Sequence, residues 1–175
     1  IGLGRGIGRP LIVINVPISY KKNAMSTAAT WEINSELTWV TICSGIKHVL
    51  AKSSTPIHRV RGLGIASQRL GLVMYNSDGR ELYAGPNKDM RGVFQGGEVD
   101  DRIGKSLWSL TGHGPGMLTG WARMLWFKQE KPEIYEKIRY ISGISDWIAY
   151  RMTGTLLLES SLACDAGLAK VTDGT

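Results

Sequence analysis

The sequence predicts an α/β layer fold built around a single hydrophobic core. Three features support this prediction: β-rich runs early in the chain, amphipathic helical patterns between and after them, and no internal repeat. The chain has 175 residues, of which 43% are hydrophobic and 21% are charged, as in an ordinary folded protein. We therefore expect one domain spanning residues 1–175.

Strand patterns begin near the N-terminus. Glycines alternate over residues 2–8, and a β-rich run follows at residues 11–16. This pattern predicts a glycine-rich turn between two short strands. The Asn-Ser-Asp-Gly sequence at residues 76–79 predicts a turn. Further strands are predicted at residues 61–68, 70–75, 81–84 and 155–158.

Helical patterns occupy most of the remaining chain. Residues 35–52 form the clearest one, with Ser35 as the expected N-cap. Its apolar stripe consists of Leu37, Val40, Cys43, Ile46, Val49 and Leu50. Pro132 is expected to open a short helix, and Ser145 to cap a helix that Gly154 ends. Other helices are predicted from about residue 98 and over residues 119–129.

Charge narrows the classes of function. The chain has 21 Lys and Arg against 15 Asp and Glu, a net charge of +6. The two signs are interleaved, as in residues 128–133, which favours a solvated mixed surface over a nucleic-acid-binding face. A basic nucleic-acid-binding module therefore remains only a minor alternative.

The sequence favours a cytoplasmic protein that does not span a membrane. The apolar runs are too short to cross a membrane, and the first residues lack a signal-peptide pattern. Cys43 and Cys164 lie far apart without CxxC spacing, which favours buried free thiols and a cytoplasmic location. His48 has no second ligand at metal-binding spacing, which favours a surface histidine.

Three segments carry candidate binding residues. The glycine-rich start lacks both GxGxxG and GxxxxGK[ST], so an anion-cradling turn and a plain hairpin turn both remain open there. Gln68 and Arg69 follow a predicted strand and offer donors for hydroxyl oxygens. Asn87 and Asp89 combine donors and acceptors, which suits a polyol. Ordinary turn capping would explain these four residues equally well.

Taken together, three stretches resemble the N-terminal domain of the FGGY carbohydrate kinases. Residues 124–135 and 145–154 are similar to a lysine-bearing helix, a Pro-Glu helix and the D-W-I-x-Y-x-x-T-G helix of that family. Residues 31–39 are similar to its W-x-E-Q-x-P-x-x-W segment. Residues 65–91 are similar to its G-I-S-x-Q strand, D-G turn and N-x-D-x-R loop.

This resemblance implies a ribonuclease H-like, actin-like ATPase domain with a mixed five-stranded sheet flanked by helices. It also implies an enzyme that transfers the γ-phosphate of ATP to a hydroxyl of a sugar, polyol or sugar acid. The sugar would lie between this domain and a C-terminal kinase domain beyond residue 175, which would bind most of the ATP and Mg. We therefore expect residues 1–175 alone to be inactive, with a homodimer left open and no nucleic-acid or membrane partner.

The resemblance also assigns residues to roles. The sugar-binding residues would be Gln68, Arg69, Asn87 and Asp89. The phosphate loop would consist of Gly4, Arg5 and Gly6. The general base would lie beyond residue 175, so no residue of this chain is assigned a catalytic or metal-binding role.

The sequence departs from the family pattern at Gly2 and at Arg69-Leu70, where xylulose-type kinases carry M-H after the glutamine. Gly2 stands where the family's D-x-G-T strand has an aspartate, which leaves open a non-catalytic descendant that binds a sugar or a protein. Leu70 replaces the glutamate of the Q-R-E sequence of glycerol kinases, which disfavours glycerol as a substrate. The N-x-D-x-R loop at residues 87–91 is similar to the branch that includes the autoinducer-2 kinases.

Overall fold

A computed structural model of the chain describes residues 2–6, 9–21 and 30–174, with side chains described from residue 14 onward. The chain forms two compact units. Unit 1 consists of Ile1–Tyr20 and Ile33–Gly64, and unit 2 of Lys21–Glu32 and Ile65–Thr175. The expectation of one domain over residues 1–175 stays a prediction.

The first strands confirm the predicted hairpin. Strand β1 (Gly2–Gly6) pairs antiparallel with β2 (Arg9–Val13), and the two residues between them lie outside the described part. Strand β2 ends at Val13, whereas the β-rich run in the sequence extends to residue 16. The short strands β3 (Tyr20–Lys21) and β4 (Glu32–Ile33) form a second ladder.

Helix α1 (Ser35–Lys52) confirms the predicted bounds. The prediction that Ser35 is its N-cap is wrong. Asn34 takes this role, because its side-chain oxygen accepts a hydrogen bond from the Leu37 N–H at 3.2 Å. Ser35 instead lies buried in the first turn.

The buried face of α1 also differs from the predicted apolar stripe. Leu37 and Val40 are 51% and 59% exposed, and Val49 is the stripe's one fully buried member. The Thr38 hydroxyl accepts a hydrogen bond from the Ser19 N–H at 3.3 Å, so a polar contact helps to orient the first turn. The buried residues are Ser35, Thr38, Ile42 and Val49.

Unit 2 contains a three-stranded antiparallel sheet in the order β6-β5-β7. These strands are β5 (Leu72–Tyr75), β6 (Glu81–Gly85) and β7 (Tyr140–Gly143). Every residue of the central strand β5 is buried. In the described residues the strands thus form ladders of three, two and two strands rather than one five-stranded sheet.

The β5–β6 hairpin confirms two predicted strands and the turn between them. The Asn76 side-chain oxygen accepts from the N–H groups of Asp78 and Arg80 at 3.0 and 2.9 Å. Gly79 has a φ of 74°, in the left-handed region that favours glycine. The side chain of Asn76 and the freedom of Gly79 together close this turn.

Two predicted strands are wrong, and three strands, β3, β4 and β7, were not predicted. Residues 61–68 and 155–158 form no strand in the described chain, and Leu63 is 54% exposed. The alternating pattern at 61–68 therefore does not reflect burial on one side of a sheet. Strand β7 has only four residues and runs directly into a helix, so its sequence pattern is too short to detect.

Helices occupy most of the rest of unit 2. Helix α2 begins at Val93, before the predicted start at residue 98, and α6 was not predicted. The helices are α2 (Val93–Thr111), α3 (Gly120–Glu130), α4 (Pro132–Tyr135), α5 (Ile144–Thr153) and α6 (Ser160–Asp165). Two short 3₁₀ helices span Ile57–Arg59 and Gly116–Leu118.

Helix α5 is capped differently from the prediction at its start and as predicted at its end. Its N-cap is Gly143 rather than Ser145, and the Asp146 carboxylate accepts from the Gly143 N–H at 3.1 Å. A carboxylate in the first turn is also stabilised by the positive end of the helix dipole. Gly154 ends the helix with a φ of 74°.

The core of unit 2 lies against the buried strand β5. Met74, Tyr83 and Phe127 form a buried cluster, and the Tyr83 and Phe127 rings meet edge to face at 5.0 Å. Trp147 is 1% exposed, and its indole N–H donates to the Glu81 carboxylate at 2.6 Å. The sheet, α3 and α5 therefore share one core.

Three minor predictions can be compared with the described residues. No helix among them has the length and apolar character needed to span a membrane. Cys43 and Cys164 are free thiols, but both are half-buried rather than buried. His48 is exposed, as predicted.

Neighbouring glycines in α2 provide a matched test of this packing. A Cβ on Gly96 would lie 2.2 Å from the Met117 Cα, whereas a Cβ on Gly97 would meet nothing within 4 Å. We expect Gly96→Ala to lower the free energy of unfolding by about 2 kcal/mol or more, because backbone must move. Gly97→Ala should raise it by about 0.5–1 kcal/mol. Urea unfolding measures both, and equal effects of the two changes would contradict the close contact between α2 and Met117.

Candidate functional site

Gln68 and Asn87, two predicted sugar-binding residues, lie in contact. The Gln68 side-chain oxygen accepts a hydrogen bond from the Asn87 backbone N–H at 3.0 Å. The other end of this amide, Nε2, is buried without a partner among the described residues. Buried donors are nearly always satisfied, so an oxygen of a ligand or a water is the natural partner of this group. Asn87, the other partner in this contact, is an exposed residue.

Arg69 lies beside this pair and points its charge toward solvent. Its side chain is 71% exposed, and it forms an ion pair with Asp165. Arg69 Nε donates to the two Asp165 oxygens at 3.1 and 3.3 Å, and Nη2 donates to one of them as well. The hydrogen bond and the charge of Asp165 raise the pKa of Arg69 above its ordinary value, so the guanidinium stays charged.

The sequence did not identify Asp165 as part of the site. It lies 96 residues after Arg69, at the end of a helix where a strand was expected nearby. A pair so distant along the chain leaves no local spacing pattern to detect. Only the fold brings the two residues together.

The turn after Arg69 has unusual backbone geometry. Leu70 has a φ of 60°, in the left-handed region, where a side chain costs roughly 1–2 kcal/mol. Gly71 follows, and a Cβ there would lie 2.6 Å from the Ile144 side chain. Close packing against α5 thus accompanies a strained turn directly beside Gln68 and Arg69.

Asp89, the fourth predicted sugar-binding residue, is part of a buried network. Its side chain is fully buried. It accepts hydrogen bonds from the Trp31 N–H at 3.0 Å, from Arg91 Nε at 2.6 Å, and from the Tyr83 hydroxyl. A sugar hydroxyl could reach this carboxylate only if the side chains that bury it moved aside. The role of Asp89 as a sugar ligand stays a prediction.

Arg91 extends the network of Asp89. Its guanidinium donates to the Glu32 carboxylate at 3.1 Å, and it lies 4.5 Å from the centre of the Tyr83 ring and 5.0 Å from that of Trp126. Burial raises the pKa of Tyr83, which keeps its hydroxyl protonated as a donor. The network therefore combines a paired charge with aromatic contacts in the interior.

The predicted phosphate-loop residues lie in unit 1, apart from this group along the chain. Gly4, Arg5 and Gly6 belong to strand β1, and they pair with Leu11, Pro10 and Arg9 of β2. They thus occupy a ladder rather than the turn itself. Their role in facing a phosphate stays a prediction.

The described residues contain no group of three or more His, Cys, Asp or Glu side chains that could hold a metal ion. Two contacts in unit 2 involve these residues: Gln68 with Asn87 and, unforeseen, Arg69 with Asp165. Amide and guanidinium groups of this kind bind hydroxyl oxygens through directional hydrogen bonds. The arrangement is suited to orienting a polar ligand rather than to acid–base chemistry.

Comparison with known proteins identifies the family of the chain. Residues 14–175 match the FGGY family of carbohydrate kinases, N-terminal domain. The matched range includes all four predicted sugar-binding residues, whereas Gly2 and the predicted phosphate loop precede it. The chain is 26% identical to an autoinducer-2 kinase of Escherichia coli over 175 residues, covering 98% of this chain and 31% of the relative.

Solved structures show the same fold at low sequence identity. A ligand-bound xylulose kinase and a gluconate kinase, both from Lactobacillus acidophilus, superpose with TM-scores of 0.78 and 0.79 at 17% identity. They cover 96% and 97% of this chain, which spans 34% of each. A Plasmodium falciparum glycerol kinase with ADP has a TM-score of 0.69 at 15% identity. The match covers 89% of this chain and 33% of the glycerol kinase chain.

The predicted ribonuclease H-like, actin-like fold is therefore confirmed, since these neighbours share that architecture, although the described strands do not form the expected single five-stranded sheet. The chain spans about a third of the length of the proteins it matches. Because nearly all residues of the chain match the N-terminal domain of this family, the chain belongs to the FGGY family of carbohydrate kinases.

Proposed function

We propose that the intact protein carrying this chain is an ATP-dependent kinase of a sugar, polyol or sugar acid, and that unit 2 provides the sugar side of its site. The observation that carries the proposal is the contact of Gln68 with Asn87, with Arg69 next to Gln68 along the chain, in a member of this family. These residues come from an irregular segment and from the loop after β6. Three polar groups from two segments suit a ligand with several hydroxyls.

The proposed role of these side chains is orientation. The guanidinium of Arg69 and the unpartnered Nε2 of Gln68 are donors, and the Asn87 amide is both donor and acceptor. A sugar held by such groups presents one hydroxyl in a fixed direction, which lowers the entropic barrier to its attack on a phosphate. No described residue is assigned the general base, which we expect beyond residue 175.

The phosphate donor is proposed from the relatives rather than from this chain. The autoinducer-2, xylulose, gluconate and glycerol kinases are named as kinases, and the glycerol kinase structure contains ADP. We propose ATP with Mg as the donor here. Magnesium would neutralise charge on the transferred phosphate, and most contacts to the nucleotide would come from outside this chain.

An assay of the intact protein with Mg-ATP tests this function. Xylulose, xylitol, gluconate and glycerol form the panel, and ADP release is measured. We expect turnover of at least one of the first three, and the weakest turnover with glycerol. Arg69→Met should lower kcat/KM by roughly 10–100-fold, mainly through KM, because it removes charged donors from the bound sugar.

Arg102→Met is the matched control, since Arg102 is 72% exposed on α2 and pairs with Glu98 there. It should leave kcat/KM within about twofold of the unaltered protein. Residues 1–175 alone should show no turnover. Sugar binding without any turnover of the intact protein would contradict the kinase proposal.

That contradictory outcome would favour the alternative, a non-catalytic descendant that binds a sugar or a protein. The observation behind this alternative is Gly2 in β1, where the family pattern has an aspartate. Gly2→Asp provides its test. A rise in ADP release on this change would support an otherwise competent site, and no rise in an inactive protein would support the alternative.

Asp89 provides a separate test, because a buried structural acid and a sugar ligand behave differently when changed. We expect Asp89→Asn to lower the free energy of unfolding by roughly 3–5 kcal/mol, since it leaves the buried Arg91 charge poorly paired. Asp78→Asn, in the exposed β5–β6 turn, should change it by less than about 0.5 kcal/mol. Chemical denaturation measures both. Undiminished stability of Asp89→Asn with lost sugar binding would instead make Asp89 a direct ligand.

A further inference from the structure

The charge of Arg69 is matched by a residue that no sequence pattern indicates. Arg69 is 71% exposed, but Asp165 is only 17% exposed. Nε and Nη2 of the guanidinium both donate to the Asp165 carboxylate. The arginine is therefore the more exposed partner of the pair, and the aspartate the more enclosed one.

Asp165 is held in place by the segment that follows it. The Gly120 N–H at the start of α3 donates to the Ala166 carbonyl at 2.7 Å, and the Trp121 indole donates to the Gly167 carbonyl at 2.6 Å. Two hydrogen bonds from α3 thus fix the two residues next to Asp165. Asp165 is therefore held in place, and its carboxylate orients the Arg69 guanidinium through their hydrogen bonds.

The stability of α6 does not account for an aspartate at this position. Asp165 is the last residue of α6, where the negative end of the helix dipole disfavours a carboxylate. Glu159 at the opposite end accepts from the N–H groups of Ser161 and Leu162, both at 3.0 Å, which is the favourable arrangement. The Asp165 charge is compensated by Arg69 rather than by its own helix.

We propose that Asp165 is a positioning and specificity-determining residue that holds Arg69 for a neutral sugar or polyol and excludes sugar acids. The inference rests on the proposed sugar-binding role of unit 2. The fold itself does not decide between these substrates, because xylulose and gluconate kinases have the same fold.

The hydrogen-bonding geometry of the guanidinium explains the selectivity. A carboxylate binds arginine best through two parallel N–H groups. Asp165 already occupies the Nε–Nη2 edge of Arg69. A substrate carboxylate would be left with the Nη1–Nη2 edge and would meet the negative charge of Asp165 there. A neutral hydroxyl can accept from the same remaining donors without that repulsion.

Asp165→Asn in the intact protein tests the inference. D-xylulose and D-gluconate are titrated calorimetrically without nucleotide, so binding is measured apart from turnover. The unaltered protein should bind xylulose at least about tenfold more tightly than gluconate. In Asp165→Asn the gluconate affinity should rise by about tenfold and weaken with added salt, while the xylulose affinity falls a few-fold.

Three further variants identify the cause. Asp101→Asn, on the exposed side of α2, makes the same change in net charge and should leave the affinity ratio unchanged. Asp165→Glu keeps the charge and should retain the preference for xylulose. If Asp165→Asn folds poorly, loss of that preference in Asp165→Glu would still contradict the inference. Arg69→Gln should weaken binding of both ligands. Thermal melts of all variants are recorded alongside, and an exposed pair of this kind should shift them little.

The outcomes separate this inference from the proposed function. If the unaltered protein binds and phosphorylates xylulose but Asp165→Asn leaves the affinity ratio unchanged, the role of Asp165 is overturned and the kinase proposal stands. A preference for gluconate in the unaltered protein also overturns it. If the unaltered protein neither binds nor phosphorylates any member of the panel, the proposed function fails and this inference fails with it.

Discussion

The buried ion pair between Asp89 and Arg91 is the interaction on which the described part of unit 2 depends most. Asp89 is fully buried, and Arg91 is 5% exposed. Isolated charges at such depth are strongly unfavourable, so each residue requires the other. Tyr83, Trp31 and Glu32 supply the remaining hydrogen bonds that make the pair tolerable.

The position of this pair explains how distant segments come together. It connects the loop after β6 to residues 31 and 32, and Arg91 lies against the aromatic rings of Trp126 and Tyr83. The neighbouring residue Asn87 is then available, through its backbone N–H, to fix the Gln68 amide. The polar interior thus supports the surface site instead of forming it.

Local patterns predicted the elements of this fold better than its contacts. The bounds of α1, the β5–β6 turn and the end of α5 at Gly154 all follow from capping and glycine chemistry that a short window contains. Strand β7 escaped because it has four residues and no isolated pattern. The buried face of α1 was misjudged, because hydrophobicity alone does not reveal that Thr38 is bonded to Ser19.

The candidate site divides in the same way. Gln68, Arg69 and Asn87 were singled out because a family resemblance placed polar residues at known points of the chain, and their role stays a prediction. Asp165 was not found, since its contact with Arg69 spans 96 residues. The burial of Asp89 was equally invisible, because it depends on a tyrosine, an arginine and a backbone N–H that converge only after folding.

The attachment of Ala166 and Gly167 to the start of α3 has a consequence for how such a site diversifies. Gly96 of α2 packs against Met117, and the 3₁₀ helix containing Met117 leads directly into α3. A change in that interior packing would shift the first turn of α3 and, with it, the residues beside Asp165. Substitutions far from any bound sugar could therefore retune ligand preference while every residue that touches the ligand stays the same.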